Sequence, residues 1–146
     1  PEDPRPRLLL LLALTIAHLM RRETRNAGLP MSVRELLTEL AGIGETVLLL
    51  SYLHQDADTP YRQQGPIFVR ETQARFEAAE RMPPALAQRT LSLRGFDADG
   101  MMVEADVCEG ADAPALIARF FTNPEVDYIH AHYARRGCFA ARIDRA

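Results

Sequence analysis

The stretch Val126-Asp-Tyr-Ile-His-Ala-His-Tyr-Ala-Arg-Arg-Gly-Cys-Phe-Ala-Ala-Arg-Ile143 decides how the chain is read, because it is a hairpin and also the densest run of chemistry in the sequence. Strand side chains alternate between faces, so the register fixes which residues share a surface. A three-residue loop of Arg135, Arg136 and Gly137, with glycine left-handed, is a common hairpin connection. It pairs Tyr133 with Phe139, Ala131 with Ala141 and Ile129 with Ile143, which makes one face wholly apolar. The opposite face then carries Tyr128, His130, His132, Cys138, Ala140 and Arg142. A two-residue loop would pair His132 with Phe139 and mix the faces, so the three-residue loop is preferred.

His130 and His132 lie on one face, about 7 Å apart at their Cα atoms given the strand rise. Both can reach one ion, and imidazole is a frequent metal ligand. Two ligands do not make a site, since a catalytic zinc takes three protein ligands and keeps a fourth position open. Ordinary half-exposed sheet histidines explain the same residues. Arg142, opposite His130, disfavours a cation but suits a carboxylate or phosphate.

The chain of 146 residues fits a single domain (1–146), with a helical part over about 8–41 and a sheet-rich part over about 45–146. A hydrophobic share of 47% and a charged share of 25% are those of a globular protein. The net charge of −3 argues against a nucleic-acid surface, which needs clustered positive charge. The sequence contains no lysine, which excludes Schiff-base and P-loop chemistry. Cys108 and Cys138 are too few for a disulfide framework and imply reduced thiols, hence a cytoplasmic setting. Cys138, on the histidine face, is a conceivable soft ligand, but a small residue beside the turn explains it better.

The leucine-rich run over residues 8–20 is too short to span a bilayer and reads as a buried helix bearing His18. Ser32 and Glu35 form a capping-box pattern ahead of a helix that Gly42 stops. Glu45 to His54 reads as a central strand covered on both faces. His54 opens the polar loop after it, where sites tend to sit. Gly65 to Arg70 is a short strand, and residues 71–81 are compatible with a helix broken by Pro83 and Pro84.

A second hairpin runs from Arg89 to Glu109. A loop of Ala98, Asp99 and Gly100 pairs Gly95 with Val103, Leu93 with Ala105 and Leu91 with Val107. The other face carries Thr90, Ser92, Arg94, Phe96, Met102, Glu104, Asp106 and Cys108, with Arg94 opposite Glu104. Asp97, Asp99 and Gly100 have the chemistry of a hairpin turn rather than of a calcium loop. Asp112 then caps a helix from Ala113 to Phe121, with Pro114 in its first turn. The fold expected is α+β: a mostly antiparallel sheet of two hairpins plus the central strand, with helices packed on one face.

From Ala41 onward the sequence resembles domain of unknown function 1203, a family of uncharacterised bacterial proteins. The resemblance lies in Gly44-Glu-Thr-Val-Leu-Leu-Leu-Ser-Tyr-Leu-His-Gln55, Pro60-Tyr-Arg62 and Gly65-Pro-Ile-Phe-Val-Arg-Glu71. It continues in Leu91-Ser-Leu-Arg-Gly-Phe-Asp-Ala-Asp-Gly-Met-Met102, Tyr128-Ile-His-Ala-His132 and Gly137-Cys-Phe-Ala-Ala-Arg142. It implies no activity, substrate or catalytic residue.

Two functions stay open. One is a binding protein for a small, anionic molecule, using His130, His132, Arg142, Arg94 and Tyr128, with no membrane or nucleic-acid partner and self-association through the leucine-rich segment. The other is a metal-dependent enzyme of hydrolase or oxygenase type. In that case His130, His132, His54 and Glu104 would hold a divalent zinc or iron ion. Converging imidazoles, each with an acceptor on its other ring nitrogen, favour the metal; dispersed histidines and a large apolar contact between chains favour the binding surface.

Overall fold

A computed structural model of the chain describes residues 47–70 and 82–145. The leucine-rich run with His18, the Ser32-capped helix and the segment 71–81 lie outside the described residues. Among the described residues are six strands: β1 (Val47–Gln55), β2 (Gln63–Arg70), β3 (Thr90–Phe96), β4 (Met102–Glu109), β5 (Tyr128–Tyr133) and β6 (Phe139–Asp144). A short helix α1 (Pro84–Ala87) precedes β3, and helix α2 (Ala113–Phe120) separates β4 from β5.

The two hairpins join into a four-stranded antiparallel sheet in the order β4-β3-β5-β6. Strand β1 does not belong to it; among the described residues it pairs only with β2, as a separate two-stranded ribbon. The apolar run from Val47 resembles a doubly covered strand, yet Leu49 is 42% exposed and Ser51 is exposed. An unbroken apolar run does not by itself distinguish a central strand from a ribbon. The α+β class holds, with two sheets in place of one.

One face of the larger sheet carries the apolar core. Leu91 and Leu93 of β3, Ile129 and Ala131 of β5, and Ala141 and Ile143 of β6 are buried there with Val126. Ala113, Leu116, Ile117 and Phe120 of α2 complete it, at the spacing that puts four side chains on one helical face. Burying each larger side chain stabilises the fold by roughly 1.5–3 kcal/mol. Asp112 makes no side-chain capping bond; a 3-10 turn over Gly110–Asp112 runs straight into α2, which carries Pro114 in its first turn. Arg145 holds the far end of the helix, donating to the carbonyls of Phe121, Asn123 and Val126 at 2.8, 2.8 and 2.6 Å.

Both hairpins depart from the expected register through β-bulges, which insert one unpaired residue and turn the following side chains over. In β3–β4, Phe96 pairs with Met102, Val103 is skipped, and Gly95 then faces Glu104. Leu93 therefore faces Asp106, and Arg94 faces Ala105 rather than Glu104. In β5–β6, Ile129 faces Ile143 and Ala131 faces Ala141 as expected. Ala140 is then skipped, so His132 pairs with Phe139. The connection is longer than three residues: Tyr133 N–H donates to the Cys138 carbonyl, and Gly137 N–H to the Tyr133 carbonyl. Gly137 has φ 72°, the left-handed position assigned to it.

Candidate functional site: a histidine face under a hairpin

The second face of the four-stranded sheet is polar and aromatic. The register aligns Arg94, His130 and Arg142 across β3, β5 and β6, so His130 lies between two arginines. The next row holds Ser92, His132 and Phe139, and the row on the other side holds Phe96, Tyr128 and Asp144.

The β1–β2 ribbon lies over this face. Its own bulge makes this possible: Leu53 pairs with Gln64 and Gln55 with Gln63, leaving His54 as the extra residue. A bulge re-aims side chains, and here both His54 and its neighbour Gln55 are buried. The Gln55 amide donates to the Gly100 carbonyl at 3.1 Å and accepts the Tyr128 hydroxyl at 2.9 Å. Thr59 also donates to Gly100. Farther along, Arg94 Nη1 donates to Gln63 Oε1 at 3.2 Å. Gly100, at φ 84°, has no room for a side chain, since a Cβ there would stand 2.3 Å from that of Ala57.

Three imidazoles meet beneath the ribbon. The His54 ring centroid lies 5.9 Å from His130 and 5.2 Å from His132, and the last two are 6.1 Å apart. Phe139 closes the group, at 4.8 Å stacked on His54, 5.1 Å from His130 and 5.7 Å from His132. Phe96 and Tyr128 flank His130 at 5.0 and 5.2 Å. The Arg142 guanidinium lies 3.8 Å over the Tyr128 ring and donates to Asp144 at 2.7 Å.

His130 and His132 are fully or almost fully buried, and burial is the main reason both stay neutral at pH 7. His130 is pushed down to about 3 by burial, with the neighbouring His132, Arg142, His54 and Arg94 adding to the shift. His132 is pushed down to about 4, burial again dominating, while its bond to the Gly137 carbonyl works the other way. The His54 pKa is lowered by burial, which outweighs the nearby Gln63 side chain and Tyr52 backbone. Among the described residues neither ring nitrogen of His130 has a hydrogen-bond partner, and those of His54 have only approaches to Gln63 and the Tyr52 backbone that fall short of good hydrogen-bond geometry. His132 Nδ1 lies 2.9 Å from the Gly137 carbonyl.

The sequence-derived site residues thus separate into two groups. His130, His132, His54, Arg94, Arg142 and Tyr128 share the histidine face. Glu104 does not: the Val103 bulge turns it to the other face, where it lies 3.6 Å from Arg119 of α2. Asp106 follows it and binds Arg119 at 2.8 Å, which holds its carboxyl below the usual range. Among the described residues no group of three or more His, Cys, Asp or Glu is placed to hold a metal ion. Phe139, which is no ligand, packs against all three imidazoles, and the carboxylate expected beside them, Glu104, lies on the other face. Gln55 and Phe139 were missed by sequence reasoning, because only the bulges bring them to this face.

Arg94 is the remaining charge on the face. Its pKa is lowered by partial burial, it has Gln63 as its hydrogen-bonded partner, and it makes no ion pair with a carboxylate among the described residues. Chemically, the arrangement offers a guanidinium that has no counter-ion among the described residues, beside several neutral imidazoles. Among the described residues no helix is long and apolar enough to cross a membrane.

No curated protein and no solved structure matches the chain. A family described as "Protein of unknown function (DUF1203)" matches residues 31–145, beginning ten residues before the resemblance at Ala41. The match covers most of the sequence, and the chain belongs to the DUF1203 family.

Proposed function

We propose that the protein binds a small anionic molecule against the histidine face, between Arg94 and the imidazoles of His54, His130 and His132. The observation that carries this reading is the row Arg94–His130–Arg142, in which a buried, unpartnered imidazole sits between two guanidinium groups. Arg142 already has Asp144 as counter-ion, so Arg94, which pairs with no carboxylate among the described residues, supplies the charge. A guanidinium recognises carboxylate and phosphate oxygens through paired N–H donors. The neutral imidazoles add hydrogen bonds without adding charge, and the aromatic rings wall the site from water. In the form described here the ribbon closes the face, so a ligand enters as the ribbon parts from the sheet.

Isothermal titration of the protein with inorganic phosphate, alongside the Arg94→Gln variant, tests this. Loss of a charge-assisted hydrogen bond costs roughly 1.5–3 kcal/mol, so Arg94→Gln weakens binding by about tenfold or more. Arg94 is half-buried and Gln63 is its hydrogen-bonded partner, and circular dichroism of the variant checks that the fold is kept. No heat of binding with the wild type, or equal affinity in the variant, counts against the reading.

A further inference from the structure

We infer that an anion on this face is bound together with a proton, which the cluster of His54, His130 and His132 takes up, so that a falling pH loads the site. This rests on the anion-binding reading and adds the condition under which the site fills. The cluster spans a seam: His54 comes from the ribbon, His130 and His132 from β5 of the sheet, and the ring centroids lie 5.2 to 6.1 Å apart. The rings are 9%, 0% and 1% exposed in that order. A proton added to any of them puts a positive charge beside the guanidinium groups of Arg94 and Arg142, which flank His130 in the sheet.

The other described groups around the cluster do not compensate such a charge. From the ribbon come Tyr52, whose hydroxyl burial keeps neutral, and the amides of Gln55 and Gln63. From the sheet come Ser92, Tyr128, which donates to Gln55, and Asp144, which is engaged by Arg142. Glu104 and Asp106 are on the other face with Arg119. Burial is the main barrier to protonating the rings, and Arg94 opposes it at all three. Only neutral groups favour it: the Gln63 side chain and Tyr52 backbone at His54, and the Gly137 carbonyl at His132. The imidazoles therefore stay neutral for want of a counter-charge. An anion seated among them supplies that charge where water does not screen it, and raises their affinity for protons. The coupling is reciprocal, so the anion is held more tightly as protons become available. One proton taken up per anion multiplies the affinity by about tenfold for each unit of pH lowered.

Sulfate is the probe, because its own charge does not change between pH 7.5 and 6.0, whereas that of phosphate does. In calorimetric titrations of the wild-type protein at matched ionic strength, sulfate should bind at least about fivefold more tightly at pH 6.0 than at pH 7.5. Repeating the pH 6.0 titration in two buffers with different heats of ionisation counts the protons, with about one expected per sulfate. Nitrogen-15 spectra of the histidine rings at pH 6.0 then show which group receives it: a ring of the cluster should move toward imidazolium shifts as sulfate is added. Equal affinity at both pH values with no proton uptake overturns the inference and leaves the anion-binding reading intact. Uptake that leaves these three rings unchanged, or that falls on the fourth histidine, His18, alone, also overturns it. No binding of sulfate at either pH overturns both.

Discussion

Lowering the pH from 7.5 to 5.0 should destabilise the protein, and the amount follows from the buried histidines. An unfolded histidine titrates near 6.5, whereas His130 and His132 are pushed down to about 3 and about 4, chiefly by burial. Below 6.5 the unfolded chain therefore binds protons that the folded chain refuses. The stability contributed by burying neutral imidazoles is complete above pH 6.5 and is lost progressively as the pH falls toward the folded values. Each pH unit below 6.5 costs about 1.4 kcal/mol per histidine, so each of the two costs about 2 kcal/mol at pH 5.0. His54, depressed in the same direction, adds to the loss. Asp106, bound to Arg119, is held below the usual carboxylate range and so titrates below this window. Urea unfolding followed by circular dichroism at both pH values, in phosphate-free buffer, measures the difference. In His130→Phe, whose ring is accommodated among Phe96, Phe139 and Tyr128, the pH-dependent part should shrink by about 2 kcal/mol. A stability that is flat or rising between pH 7.5 and 5.0 would refute the reasoning. So would an unchanged pH dependence in the variant.

Three further perturbations probe the ribbon and the core. Gln55→Ala removes both bonds that tie β1 to Gly100 and Tyr128 and should cost about 1–3 kcal/mol in denaturant unfolding; a neutral result would mean that the tie contributes nothing. Gly100→Ala forces a side chain into a positive-φ site and against Ala57. It should lower stability by more than about 1 kcal/mol, and an unchanged melting temperature would contradict the close approach. Phe120→Ala empties a position that is 0% exposed at the centre of the apolar face and should cost about 3–5 kcal/mol. A loss below about 1 kcal/mol there would show that α2 is not packed on the sheet as described.

Much of the fold is legible in the sequence. Arg-Arg-Gly137 and Asp99-Gly100 mark turns by their chemistry, and the alternation on either side marks strands. Pro114 and the apolar spacing of Ala113, Leu116, Ile117 and Phe120 mark the helix. The bulges are not legible. In β3–β4 the alternation accepts Glu104 opposite Arg94 as readily as opposite Gly95, and nothing local in Met102-Val103-Glu104 announces an inserted residue. The single shift at Val103 moved Glu104 and Asp106 off the histidine face and onto Arg119. The shift at Ala140 brought Phe139 in. The sequence reads His54 as a loop residue beside a central strand. It reaches His130 and His132 instead from a separate ribbon, through a bulge that the sequence does not signal. Chemistry by residue type was therefore readable; which carboxylates and rings share a face was decided by register, which is long-range information.

The most direct test of the account is nitrogen-15 NMR of the histidine side chains during titration with phosphate. The account predicts that the ring nitrogens of His130 and His54 shift together and saturably, and that the response is lost in Arg94→Gln. Shifts confined to other residues, or no saturable shift of the His130 ring, would contradict it.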